Sequence, residues 1–175
     1  HKSVSLNETG TVLAIGSPRD NVIDNYRGQI NLFQYDSTFT GDTDGPANWK
    51  KYGNTINTDA QNSTSDKGNG LGYAVSLNAS GNILAASSVR ESNESGNGLG
   101  NVFKYNTAYN TWDAIGIPTK DGPKNRSALS IMADSSGNDI RFAVGGWDPE
   151  NAGFLAIVNV YKYDLNASDP DRYLS

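Results

Sequence analysis

The chain has 175 residues, 36% hydrophobic and 10% aromatic, with 19 glycines and no cysteine, which is enough for one domain with a buried core and too apolar for a disordered chain. A net charge of −5, with 14 Lys and Arg forming no basic stripe, argues against a nucleic-acid partner. The missing thiols exclude disulfides, thiolate nucleophiles and Cys-based zinc sites.

The chain opens "HKSVSLNETG", with no initiator Met and no signal-like apolar segment, and reads as processed or partial. No apolar run approaches the roughly 18 residues of a membrane span, so membrane insertion is not expected. The first element, "SVSLNETGTVLAIGSPRD" (3–20), has alternating apolar residues on either side of Asn7-Glu8-Thr9-Gly10, a turn sequence, and predicts a β-hairpin. Next comes "GQINLFQYD" (28–36). It sets Ile30, Leu32 and Gln34 on one side and Asn31, Phe33 and Tyr35 on the other, as in a strand inside a layered structure. "GDTDG" (41–45) begins like a calcium loop with Asp42 and Asp44, but Pro46, Ala47 and Asn48 follow where further oxygen ligands belong, so an inserted turn is expected. "WKKYG" (49–53) closes the unit.

All of this then recurs. "AVSLNASGNILAASSVRE" (74–91) repeats the hairpin, "GLGNVFKYN" (98–106) the third strand and "WDAIG" (112–116) the closing element. A third copy runs through "ALSIMADSSGNDIRFAVGGWD" (128–148) and "NVYKYD" (159–164), after which "LNASDPDRYLS" has no Trp-x-x-x-Gly. No stretch sustains a 3.6-residue apolar period, so helix is not expected.

The predicted fold is therefore all-β: a β-propeller-like array of about three four-stranded antiparallel blades, the third incomplete. The units run over about 1–57, 71–117 and 126–165 of one repeat domain. Propellers close with about four to eight blades, so the chain is expected to be a piece of a longer protein or to complete its sheets with neighbouring chains.

Leu71-Gly72-Tyr73-Ala74-Val75-Ser76, Ile15-Gly16-Ser17-Pro18 and Gly28-Gln29-Ile30-Asn31-Leu32-Phe33 resemble the three short motifs of the FG-GAP type of propeller repeat, found in integrin α-chain heads and extracellular repeat proteins. The likeness covers nearly the whole chain and implies an extracellular or cell-surface module of structural or adhesive character. It departs at Ala86-Ser87-Ser88 and Gly145-Gly146-Trp147, where Gly-Ala-Pro would stand. The family's calcium loop in the first hairpin has no acidic counterpart at Asn7–Gly10 or Asn78–Gly81, so no cofactor is expected, calcium included.

The remaining chemistry is sparse. "GNGLG" occurs twice, at 68–72 and 96–100, but neither copy has the spacing of a dinucleotide fingerprint and both run into strand-like sequence. Asp134 and Asp139 in the third hairpin are a weaker metal candidate than an ordinary turn. His1 is the one histidine, which removes Ser-His-Asp catalysis. The reading is non-catalytic, although a carboxylate pair of the glycosidase type, or a carbohydrate-binding module, stays open as the alternative. Sequons stand at Asn7, Asn62, Asn78, Asn93, Asn125 and Asn166, each in a predicted turn or linker and each a candidate N-glycosylation site. At Asn7 and Asn78 turn chemistry accounts for the pattern equally well. Tyr35, Tyr105 and Tyr163 recur at one repeat position and Trp49 and Trp112 at another, as expected for packing between repeats, with a sugar platform as the rival reading. Protein partners or self-association are expected, the open edge of the third unit being completed by strand addition from another chain.

Overall fold

The structure, a computed structural model, describes residues 3–18, 28–57, 70–88, 99–115, 124–133, 139–147, 156–164 and 173–174. These residues contain no helix and form three antiparallel sheets. Sheet 1 holds β1 (Ser3–Leu6), β2 (Val12–Ser17), β3 (Gln29–Tyr35), β4 (Trp49–Lys51) and β5 (Ile56–Asn57). Sheet 2 holds β6 (Ala74–Leu77), β7 (Ile83–Ser88), β8 (Leu99–Asn106) and β9 (Thr111–Ala114), and sheet 3 holds β10 (Lys124–Ala133), β11 (Asp139–Trp147), β12 (Ala156–Asp164) and β13 (Tyr173–Leu174).

The repeat read in the sequence is a repeat of register. Ser5 pairs with Ala14 and Ala14 with Leu32; Ser76, Ala85 and Val102 pair in the same way, as do Ser130, Ala143 and Val160. One row further along stand Leu6–Leu13–Phe33, Leu77–Leu84–Phe103 and Ile131–Phe142–Tyr161. Because side chains alternate across a strand, the two kinds of row lie on opposite faces of each sheet. The rows containing Ala14, Ala85 and Ala143 define a front face; those containing Leu13, Leu84 and Phe142 define a back face.

Two cores result. Val12, Ala14, Ile30 and Leu32 on the front of sheet 1 pack with Val75, Leu77, Leu84, Ala86 and Phe103 on the back of sheet 2. The front of sheet 2, with Ile83, Ala85 and Val102, packs with Ile140, Phe142, Val144 and Tyr161 on the back of sheet 3. Every residue of β7 is accordingly buried. The sequence places β3 inside a layered structure; the structure gives that position to β8, since the back of sheet 1, including Phe33, stays half-exposed. The first strands lie side by side, β1 against β6 and β6 against β10.

Two expectations about strand number are corrected. The third unit does not lack a fourth strand: Tyr173 and Leu174 pair with Tyr163 and Lys162, within the segment that has no Trp-x-x-x-Gly. Strand pairing is made by backbone groups, so a Tyr-Leu dipeptide can supply it without the tryptophan. In sheet 1 the fourth position is filled twice, β4 pairing Phe33–Tyr35 and β5 pairing Gln29–Ile30. Between them Gly53 takes a φ of 83° while the Tyr52 N–H still reaches the Leu32 carbonyl at 2.8 Å, so this is one outer strand interrupted by a kink.

The junction between sheets 1 and 2 depends on backbone approach. Gly28 forms a parallel bridge with Leu71, and Gly72, at a φ of 88°, leaves no room for a side chain: an added Cβ would sit 2.9 Å from both the Gln29 carbonyl oxygen and Gly16 Cα. Gly72→Ala is therefore expected to cost roughly 2–4 kcal/mol, from left-handed strain and overpacking together. Urea unfolding with an unchanged slope should report it as a lowered midpoint.

Candidate functional site

The sequon at Asn7 begins the turn between β1 and β2. Its side-chain oxygen accepts from the N–H groups of Thr11 and Val12, both at 2.8 Å, and its Nδ2 donates to Thr9 Oγ1 at 3.0 Å. Asn78 repeats this: its oxygen accepts from Asn82 and Ile83 at 3.0 and 2.9 Å, and its Nδ2 donates to Ser80 Oγ and Asn82 Oδ1. Both residues are buried. The sequon's own Thr or Ser is the partner of the amide, so the pattern N-x-[ST] is here a hydrogen-bonded turn, closed by Gly10 and Gly81 at φ of 69° and 73°. A glycan on either amide would replace one Nδ2 hydrogen, leaving the bonds to the oxygen in place, and would have to fit beside a buried side chain. Asn125 lies in β10, within the bulged stretch between Lys124 and Ala128, and not in a linker as the sequence predicts. Backbone pairing extends further toward the N-terminal end of that strand than its apolar alternation does. Asn62, Asn93 and Asn166 lie outside the described residues.

The other candidates resolve locally. In "GDTDG" Asp42 accepts from the N–H groups of Asp44 and Gly45 at 2.8 and 3.0 Å, closing a turn on itself, and Asp44 approaches Lys51 at 4.0 Å. Asp139 pairs with Arg141 at 3.0 Å across one strand position, while Asp134 lies outside the described residues. Among the described residues no three His, Cys, Asp or Glu side chains converge on one point. The first "GNGLG" ends at the sheet junction, with Leu71 fully buried, and leads into β6; the second leads directly into β8. No helix N-terminus, the element that holds a phosphate in a dinucleotide fold, follows either one.

The aromatic positions form two unequal sites. Tyr105 and Trp112 face each other across β8 and β9, and Tyr52 from sheet 1 covers them, with ring centroids 4.0 Å from Tyr105 and 5.8 Å from Trp112. The Trp112 indole N–H donates to the Tyr52 carbonyl at 2.9 Å, and its backbone N–H to Asn54 Oδ1 at 2.7 Å. Burial, and then the neighbouring Tyr105, push the Tyr52 phenol up to about 12. Tyr35 and Trp49 occupy the same positions in sheet 1, edge to face at 5.6 Å, but among the described residues no preceding sheet covers them, and Tyr35 is exposed. Nothing is described of the Tyr163 side chain.

Two residues that sequence reading overlooked join the sheets. Ser5 Oγ accepts from the Leu77 N–H at 3.0 Å, and Ser76 Oγ accepts from the Ile131 N–H at 3.1 Å. Their signal was the serine shared by "VSLN", "VSLN" and "LSIM", which alternation alone classes as a polar strand position. Two exposed carboxyls are held below the usual range. Asp36 is lowered by the Thr38 hydroxyl and then its N–H, and Asp113 by Asn106 and then Thr111.

Compared with models of known protein families and with curated protein sequences, the chain matches none.

Asn78→Ala strands the N–H groups of Asn82 and Ile83 and is expected to cost roughly 2–4 kcal/mol in urea unfolding, whereas Asn78→Asp, which keeps the acceptor, should cost less. The Tyr52 phenol has a folded pKa of about 12, above its ordinary 10.0, so its contribution to stability is complete below pH 10.0 and lost as pH rises through about 12. Tyrosine-absorbance and circular-dichroism titrations should therefore show alkaline loosening in that window, and Tyr52→Phe should move it to higher pH.

Proposed function

We propose that this chain is a non-catalytic structural or adhesive module of an extracellular glycoprotein, an FG-GAP-like propeller segment in which each sheet is one blade. The observation that carries this reading is the stacking of three sheets in one repeated register with β1, β6 and β10 side by side, as expected of blades arranged around their first strands. Three blades fall short of the about four to eight that close a propeller, so the module would act as part of a larger assembly. Strand addition keeps a narrower basis than the sequence offered. β13 pairs with only Lys162 and Tyr163, and among the described residues no strand adjoins the outer side of β12 from Ala156 to Val160.

The uncovered Tyr35–Trp49 pair is what favours the second reading, a carbohydrate-binding module. Glycopeptide mapping of native material, run beside a glycan array and a hydrolysis assay, separates them. The expected outcome is modification at one or more of Asn62, Asn93, Asn125 and Asn166, none at Asn7 or Asn78, and neither binding nor turnover. Turnover would overturn the structural reading; wholly unmodified asparagines would overturn the extracellular one.

A further inference from the structure

The two interfaces inside the molecule are one interface made twice. Front rows Ser3–Gly16–Ile30 and Ser5–Ala14–Leu32 meet the back of sheet 2, and their counterparts Ala74–Ser87–Gly100 and Ser76–Ala85–Val102 meet the back of sheet 3. In each case the second serine accepts the N–H of the next sheet's first strand.

At the two ends of the array the same surfaces stand uncovered. Val158 and Val160 on the front of sheet 3 are 66% and 60% exposed, although their counterparts Ile30 and Leu32 are at most 1% exposed. Val4 and Leu6 on the back of sheet 1 are 68% and 55% exposed, against 7% for each of their counterparts Val75 and Leu77. The glycines tell the same story. A Cβ on Gly81 would lie 2.9 Å from Val12 of the preceding sheet, while one on its counterpart Gly10 would meet nothing within 4 Å. A Cβ on Gly16 would collide with Gly72 of the following sheet, while one on its counterpart Gly145 would meet only its own sheet.

Each end thus carries the surface that the other needs. Ser130 on sheet 3 occupies the acceptor position of Ser5 and Ser76, and Leu6 on sheet 1 the donor position of Leu77 and Ile131. The turns agree with this pairing. Stacking brings each turn over the end of the preceding sheet, as Gly81 lies over Val12 and Glu8 N–H donates to the Ala79 carbonyl. Val12's counterpart in sheet 3 is Arg141, beside Lys162, and Gly81's counterpart in sheet 1 is Gly10, so a copy docked in this register sets the uncovered turn glycine of sheet 1 over that row.

We propose that the front of sheet 3 docks the back of sheet 1 of a second copy, head to tail, in the register of the internal interfaces. This deepens the structural reading above by naming the partner and the surface. The contact is heterologous, so copies close into a ring or continue as a filament according to the rotation each sheet adds.

The absence of native cysteine makes the test direct. Ser130→Cys and Leu6→Cys, carried on separate copies and mixed under mild oxidation, should give a disulfide-linked pair. Ser5→Cys with Leu77→Cys in one chain is the positive control for geometry, and Tyr109→Cys, on an exposed turn, the negative control. Light scattering of the unaltered chain should give multiples of 18.7 kDa, and Val160→Glu should return it to the single-chain mass with its β-sheet circular dichroism intact. An unaltered chain that stays at 18.7 kDa at every concentration, with no Ser130–Leu6 link, overturns the proposal and leaves the end faces to some other partner. Equal linking to the Tyr109 control overturns it too. Either failure leaves the glycan and hydrolysis results untouched, and turnover would leave the stacking result standing.

Discussion

An antiparallel sheet that is apolar on both faces cannot be stable in water by itself, and every structural feature of this chain follows from how that problem is met. Each repeat makes such a sheet, and stacking front to back buries one face of each neighbour. Fully burying an aliphatic side chain contributes about 1.5–3 kcal/mol, and sheet 2, covered on both sides, collects that gain twice. The serine bridges add direction to an otherwise non-directional attraction. A hydroxyl that meets one particular N–H of the next sheet fixes the height at which two sheets stack, and the burial of Leu84 against one neighbour and Ile83 against the other depends on that height.

The hairpin turns show why a sequence motif and its chemistry can part company. Asn-x-Ser/Thr is the pattern of a glycan acceptor and also that of a turn in which the Asn oxygen holds two backbone N–H groups while its amide holds the hydroxyl two residues on. Asn7 and Asn78 take the second role in matching detail. The same residue types, placed where no strand follows in register, would have no such obligation. A glycan would take one hydrogen of the nitrogen that bonds the hydroxyl, on a side chain already buried where its oxygen holds the backbone.

Aromatic residues behave differently at equivalent positions for an equally physical reason. Trp112 is buried because Tyr52 and Asn54 of the preceding sheet reach it; Trp49 is half-exposed because nothing precedes it among the described residues. Nothing in the pentapeptides "WKKYG" and "WDAIG" distinguishes the two. Burial here belongs to the place a repeat holds in the array, not to the repeat.

Period-two alternation, the Asn-to-Gly turns and the threefold recurrence were enough to establish the all-β class, the hairpins and the third strand with its Tyr, because each is a local rule acting within a few residues. The broken fourth strand of sheet 1, the short β13 and the extension of β10 through Asn125 escaped that reading, since backbone pairing leaves little mark on side-chain pattern. Which face of a sheet would be covered also stayed out of reach. Val4 and Val75 sit in near-identical local sequence, yet one is exposed and the other buried. By itself the sequence determined what each sheet is; only the tertiary structure decided which sheet lies against which, because that depends on neighbours 55 to 72 residues away whose contacts are made by shape, and by two hydroxyls, across an interface that alternation does not encode.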